Sequence, residues 1–259
     1  MNVIAIANQK GGTGKTTSAA AFAVLLSRCG IATHLVDMDP QASLSAAFGL
    51  VDPGGRLFEA LANRSPLPIT RVAEHLTITP SSIDLSRGET QFIAEPGREY
   101  LLRDCLEATP LPSEATVIVD CPPSLGILSL ACLTAASALC VVVQPGGFEL
   151  KTLVHLQETV AVLRQRINPR LYVVGAVLTN CHPRRAITDQ VAEEVGRSYR
   201  VLGRVRADAR ILYATTAGKV YHLNRSKALD DYRFVVRNLR KVLPWLRNGS
   251  KASAVSSAG

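Results

Sequence analysis

Residues 8–17 read Asn8-Gln9-Lys10-Gly11-Gly12-Thr13-Gly14-Lys15-Thr16-Thr17, and what this stretch needs on either side decides the fold. Gly11, Gly12 and Gly14 let backbone N–H groups curl around phosphate oxygens. Lys15 is spaced to reach β- and γ-phosphates, Thr16 offers a hydroxyl to Mg²⁺, and Thr13 and Thr17 complete the cradle. Just upstream, residues 3–7 are a short β-branched apolar run, which predicts a buried strand. Just downstream, residues 15–29 are rich in Ala and Leu, which predicts a helix with its N-terminus on the phosphates.

The same rhythm runs through most of the 259 residues. Apolar runs at 33–37, 76–79, 116–120, 138–143 and 171–178 predict further strands. Amphipathic or Ala/Leu-rich stretches at 98–108, 125–135, 152–166, 187–197 and 230–245 predict helices. Such alternation specifies an α/β fold, a mostly parallel twisted sheet flanked by helices on both faces, with ligands at the carboxyl ends of the strands. Residues 52–68, rich in Gly and Pro, are expected to form a surface connection with one helical turn near 57–62. Residues 1–247 are read as one domain, and 248–259, a Ser/Ala/Gly-rich segment, as a disordered tail.

Two more strand ends carry carboxylates. Val117-Ile118-Val119-Asp120 is an apolar strand closing on an acid, the form of a Walker B element whose Asp holds Mg²⁺ through water. Leu35-Val36-Asp37-Met38-Asp39-Pro40-Gln41 places Asp37 and Asp39 two residues apart, so in extended chain both point to one side. Metal-shell and water-orienting roles are both open to them. Asn180, at the end of the 171–178 run, reads either as an adenine-edge contact or as a strand-end cap. Lys10 reads either as a solvated loop lysine or as a charge that reaches a facing subunit's nucleotide, in the manner of an arginine finger.

Composition removes several classes. Six cysteines are scattered without a CxxC, and most lie in apolar surroundings, which argues against a disulfide framework, a zinc site or an iron–sulfur cluster. The uncharged stretch 121–148 is interrupted by Pro122, Pro123, Pro145, Gly146 and Gly147, so it reads as a helix followed by a buried strand rather than a membrane span. The net charge of +8 is uneven: residues 1–196 carry 15 Lys/Arg against 18 Asp/Glu, while 197–247 carry 13 against 3. That concentration is the footprint expected for a polyanion. On the final helix Arg233, Arg237, Arg240 and Lys241 fall near one face, leaving Phe234, Leu239, Val242 and Trp245 for the other.

The strings KGGTGKTT, DMDPQ and DCPPSLG (starting at Lys10, Asp37 and Asp120) resemble the deviant Walker A, DxDPQ and Walker B segments of the ParA/MinD family of P-loop ATPases, most of all the ParA partition proteins. The resemblance runs from residue 3 to about residue 246. It implies ATP rather than GTP, with no NKxD guanine motif present, and Mg²⁺ on Thr16, Asp120 and Asp37. It implies Lys10 as a signature lysine acting across a nucleotide-sandwich homodimer, and Asp39 as the residue that orients the attacking water, with Asp37 supporting. Slow hydrolysis, below about 1 s⁻¹ without partners, is the corresponding expectation. The resemblance further implies non-specific nucleoid DNA as a partner of the ATP-bound dimer, with Arg204, Arg206, Arg225 and Lys227 as candidate contacts. An activating cargo-bound protein, ParB-like or McdB-like, and a cytoplasmic, nucleoid-associated location follow from the same source.

One position departs from the family pattern. Lys151 stands where an acid is common, which is similar to the carboxysome-positioning branch, and is a candidate for the dimer interface. The cargo is therefore expected to be a plasmid, a chromosome origin or a protein organelle. Two other classes compete: a MinD-like membrane-associated regulator, disfavoured because the residues after Trp245 lack an apolar face, and a metabolic P-loop enzyme such as an amidoligase.

Overall fold

A computed structural model describes residues 2–50, 54–146, 149–182 and 185–247. The strands are β1 (Asn2–Ala7), β2 (Thr33–Asp37), β3 (Thr70–Ala73), β4 (Leu76–Thr79), β5 (Thr116–Asp120), β6 (Ala138–Val143), β7 (Tyr172–Cys181) and β8 (Val201–Arg206). The helices are α1 (Lys15–Ser27), α2 (Ser43–Ala47), α3 (Arg56–Asn63), α4 (Gly88–Gln91) and α5 (Leu101–Ala108). They continue with α6 (Ile127–Ala135), α7 (Glu149–Arg166), α8 (Ala186–Ser198), α9 (Ala209–Thr216) and α10 (Lys227–Val242).

The strands form one eight-stranded sheet in the order β3-β4-β2-β5-β1-β6-β7-β8. Only β3 runs antiparallel, against β4. The α/β expectation holds. Period-two alternation divides each central strand between two cores: Val3, Ala5 and Ala7 face one side of β1, Ile4 and Ile6 the other. The first core packs under α3, α5, α6, α7 and α8. The second packs under α1, α2, α9 and α10.

Helix α1 is buried almost all round, and its run of alanines lets it lie close to the sheet. It is locked to α10 by an edge-to-face pair of Phe22 and Tyr232 (5.9 Å between centroids) and by a hydrogen bond between the Ser18 and Tyr232 hydroxyls (2.9 Å). At the other side of the sheet, buried His34 joins β2 to β4 through the hydroxyls of Thr77 (2.8 Å) and Thr79 (3.0 Å). Burial pushes its pKa down to about 4, so it sits there neutral.

Several elements differ from the sequence expectation. Strand β8 is not among the expected elements, nor are β3, α2, α4 and α9; β8 is an edge strand whose apolar run is interrupted by Gly203, Arg204 and Arg206. The 52–68 connection is more than a surface loop, because α3 and the chain after it bury Leu57, Phe58, Leu61 and Leu67. Helix α10 begins at Lys227, three residues before the expected start, with the Ser226 hydroxyl accepting from Leu229 N (3.0 Å) as N-cap. Phe234 lies 52% exposed, and the core side of α10 is formed by Tyr232, Val235, Val236 and Leu239. The expected tail, 248–259, lies outside the described residues.

Candidate nucleotide site

The three motif segments converge because their strands are neighbours. In the register of the sheet, Asp37 of β2 sits beside Asp120 of β5, and Asp120 sits beside Ile6 of β1. The glycine loop leaves β1 immediately afterwards, so both carboxylates end under it.

The loop is held in shape by hydrogen bonds to its neighbouring strands and within itself. Asn8, 2% exposed, donates from Nδ2 to Val142 O on β6 (2.6 Å), while its Oδ1 accepts from Lys10 N (3.2 Å). The Lys10 carbonyl accepts from Thr13 Oγ1 (3.3 Å) and Lys15 Nζ (3.2 Å). From β7, Thr179 Oγ1 donates to Thr13 O (2.5 Å). Gly14 caps α1 with φ of 87°, a left-handed backbone that favours glycine, and an added Cβ would press on the Thr179 side chain at 3.4 Å. A Cβ added at Gly11 or Gly12 meets nothing within 4 Å. The loop therefore surrounds open space lined by backbone at the start of a helix, which is the geometry a phosphate requires.

The two lysines of the loop differ in environment. Lys15 is 6% exposed and turned inward; burial pulls its pKa below the ordinary lysine value, with the charge of Asp120 acting against that. Lys10 is exposed at the rim.

The acids differ too. Asp37 is fully buried; its Oδ2 accepts from Ser45 N (2.8 Å) and Ser45 Oγ (2.7 Å), and its Oδ1 from Asp39 N (3.2 Å). Burial nonetheless pushes it up to about 6, against the pull of those bonds. Asp120 is fully buried, and neither carboxylate oxygen meets a donor in good hydrogen-bond geometry. Burial first, and then the adjoining Asp37 charge, raise its pKa well above the usual carboxylate range, against the pull of the Thr16 hydroxyl and the Lys15 charge. A buried carboxylate so weakly compensated favours a proton or a cation. With Thr16 half-buried one residue beyond Lys15, Asp120 and the Thr16 hydroxyl suit Mg²⁺, which takes one or two protein ligands and completes its shell with phosphate and water. Asp39 is half-buried at the mouth, its Oδ1 accepting from Gln41 N (2.9 Å).

A cavity of about 400 Å³ opens beside the loop, bounded by Thr17, Gln144, Thr179, Asn180, Asp208 and Tyr232. Asn180 is exposed with φ of 50°, so its side chain stands at the cavity wall in a strained turn of backbone. The opposite wall is the chain after β8. It is fixed by Asp208, which accepts from Arg210 N (2.8 Å) and Ala228 N (3.0 Å), and by Arg206, paired to both oxygens of Asp231 (2.8 Å each).

Of the DNA-contact candidates, Arg204 and Arg206 are on the edge strand β8 and engage Asp189 (2.5 Å) and Asp231. Arg225 and Lys227 are exposed where α10 begins. Lys151 falls in the first turn of α7, and its side chain lies outside the described residues. Sequence reasoning missed Asn8, Ser45, Thr179 and Asp208. The first had a local signal, a polar residue at the end of an otherwise apolar strand directly before a glycine loop. Thr179 acts through a distant segment, Ser45 reaches back to Asp37 from the next helix, and Asp208 caps α9 while also holding Ala228.

A family model described as an AAA domain matches residues 1–173. Over 201 residues the chain is 38% identical to the chromosome partitioning protein ParA of Caulobacter vibrioides, covering 75% of each. Over 252 residues it is 34% identical to the chromosome partitioning protein ParA of Myxococcus xanthus, covering 92% of this chain and 88% of that one. Among solved structures it is similar to cobyrinic acid a,c-diamide synthase from Mycobacterium smegmatis with bound ATP analog and magnesium. That match has a TM-score of 0.78 and 30% identity, over 93% of this chain and 95% of the other.

Proposed function

Since this chain belongs to the ParA/MinD family of deviant Walker A P-loop ATPases, we propose that it is a ParA-type partition ATPase working as a two-state switch. With ATP it pairs into a homodimer and binds nucleoid DNA without sequence preference. A cargo-bound partner protein then triggers hydrolysis and release. The observation that carries this reading is the opposite placement of the two lysines on one loop, Lys15 buried against its own backbone and Lys10 exposed at the rim.

The chain's own residues divide the work of phosphoryl transfer. Backbone N–H groups of 11–16 and Lys15 hold the phosphates and stabilise charge on the γ-phosphoryl oxygens as it develops. Lys10 of the facing subunit completes that stabilisation, which ties hydrolysis to dimerisation. Asp39, fixed from Asp37 through its backbone N–H and free to face the mouth with its carboxylate, orients the attacking water. Mg²⁺, held by Thr16 and Asp120 with Asp37 beside it, neutralises phosphate charge when bound. Asn180 and the chain at 206–208 enclose the base. Because no strong general base other than Asp39 stands at the mouth among the described residues, intrinsic turnover is slow and the switch acts as a timer.

Arg204, Arg206, Arg225 and Lys227 are the proposed DNA contacts inherited from the family comparison, with Lys151 at the interface between subunits. No described helix is long and apolar enough to cross a membrane. We place the protein on the nucleoid through its basic C-terminal quarter.

The Lys10→Ala variant tests this reading. Light scattering with ATP is expected to give dimers for the wild type and monomers for the variant, with hydrolysis lowered by about 10²-fold or more. Equal dimerisation by the two proteins would sink the trans role of Lys10. The likeness to a diamide synthase supports one second reading, a metabolic ligase. Sustained turnover above about 1 s⁻¹ with a small carboxylate substrate and no DNA would favour that reading instead.

A further inference from the structure

Helices α1 and α10 meet along a groove of about 360 Å³ walled by Arg28, Arg233, Arg237 and Arg240 over a floor that includes Leu25 and Val236. These arginines differ from those of the edge strand. Arg204 and Arg206 are each committed to an acid, which a polyanion has to displace before it binds. In the groove, Arg233 is paired with Asp230, but Arg237 and Arg240 have no acidic partner among the described residues. Arg28 donates to the carbonyls of Tyr221 (2.6 Å) and Leu223 (3.1 Å), and Arg240 donates from Nε to Leu246 O (2.9 Å). Those carbonyls fix the guanidinium planes without cancelling their charge. Burial pulls the Arg28 pKa down, and the charge of Arg233 across the groove adds to that effect. Arg28 and Arg240 are thus fixed guanidiniums without an acid, and Arg237 adds an exposed charge beside them, a combination suited to phosphate oxygens.

We propose that this α1–α10 groove is where the protein seats the phosphate backbone of duplex DNA, an assignment that rests on the DNA-binding reading above. A rise of 1.5 Å per residue puts Arg233 about 6 Å from Arg237 and Arg237 about 4.5 Å from Arg240 along the helix axis, so the three charges form a short row on one face. A bilayer is the poorer occupant, because the apolar side of α10 (Tyr232, Val235, Val236 and Leu239) is buried in the core and is not available for insertion.

The test is fluorescence anisotropy of a random-sequence duplex with ATP across a salt series. It compares wild type, the double variant Arg237→Glu/Arg240→Glu, the milder Arg237→Gln, and Arg204→Gln. Circular dichroism melting of each reports folding. The double variant is expected to bind at least about tenfold more weakly, with the slope of log K against log salt reduced by about 2. Arg237→Gln is expected to lose about threefold, and Arg204→Gln less than about twofold. If the double variant does not fold, Arg237→Gln decides alone. Wild type that binds DNA beside folded groove variants with unchanged affinity and slope would overturn the groove and leave the DNA reading standing. Wild type that binds no DNA in any nucleotide state would overturn that reading and the groove with it. Groove-dependent pelleting with phosphatidylglycerol vesicles that DNA does not compete away would overturn DNA as the occupant.

Discussion

The strand ends of β2 and β5 and the groove between α1 and α10 share one arrangement, like charges held side by side by the fold, in opposite signs and opposite surroundings. Asp37 and Asp120 are fully buried, with the Thr16 hydroxyl and the Lys15 charge offsetting only part of the burial of Asp120. The arginines of the groove line an open surface. Burial makes the first pair costly, specific and insensitive to bulk ions. Exposure makes the second cluster cheap, unspecific and screened within a Debye length of about 8–10 Å. A chemical step needs the first kind of site, and a reversible hold on a long polyanion needs the second.

The largest test of this contrast is proton linkage at the buried pair. Asp37 has a folded-state pKa of about 6 against an ordinary 3.8, and Asp120 is shifted in the same direction. Between those values the native state binds more protons than the unfolded chain. The contribution of Asp37 to the stability of the nucleotide-free protein is thus expected to be full below pH 3.8 and to be lost as pH rises through about 6. The whole fall is about 3 kcal/mol for Asp37 alone. Urea unfolding at pH 4 and pH 7 measures most of it. Asp120→Asn removes one charge of the pair and is expected to flatten the dependence while abolishing stabilisation by Mg²⁺ and ATP. A flat profile in the wild type would mean that the pair is not buried as charges.

Next in size is the salt response. Four phosphate contacts predict that DNA affinity falls about 10²-fold between 50 and 200 mM salt, whereas hydrolysis at saturating ATP changes little over the same range. Equal sensitivity of both would erase the distinction between the two regions. The smallest effect concerns the joint between them. Tyr232→Phe leaves the Ser18 hydroxyl in the core without its partner, and a loss of about 1 kcal/mol is expected in thermal unfolding.

The candidate nucleotide site was already outlined in the sequence, because the residues that compose it are concentrated in three short segments that the sheet brings together. Each of them is a strand followed at once by its functional residues. Gly11 through Thr16, Asp37 with Asp39, and Asp120 needed only the rule that parallel strands deliver their carboxyl ends to one edge. The bonds that shape the site join Asn8 to Val142, Asp37 to Ser45, and Thr13 to Thr179. Apart from Ser45, those partners lie more than a hundred residues away, where no local pattern can point to them.

Edge strand β8 was hidden for a different reason. Its burial does not follow period two, since Leu202, Gly203 and Val205 are all buried and Arg204 is exposed, and the charge that makes it a tolerable sheet edge also makes it read as part of a basic surface. The same ambiguity affected α10. Counting charges located the basic quarter, yet only the packing of α10 on α1 distinguished arginines committed to acids from arginines held by carbonyls.

Helix α1 has a mechanical consequence. It is a rod of 13 residues, about 20 Å long, that starts at the phosphate loop and ends beside Arg28 in the arginine groove. It is clamped to α10 through the Ser18–Tyr232 hydrogen bond in its first turn. A tilt of about 3° about that clamp carries Arg28, about 15 Å further along the rod, through about 0.8 Å. On the proposed reading, fuel gauge and grip are opposite ends of a single lever.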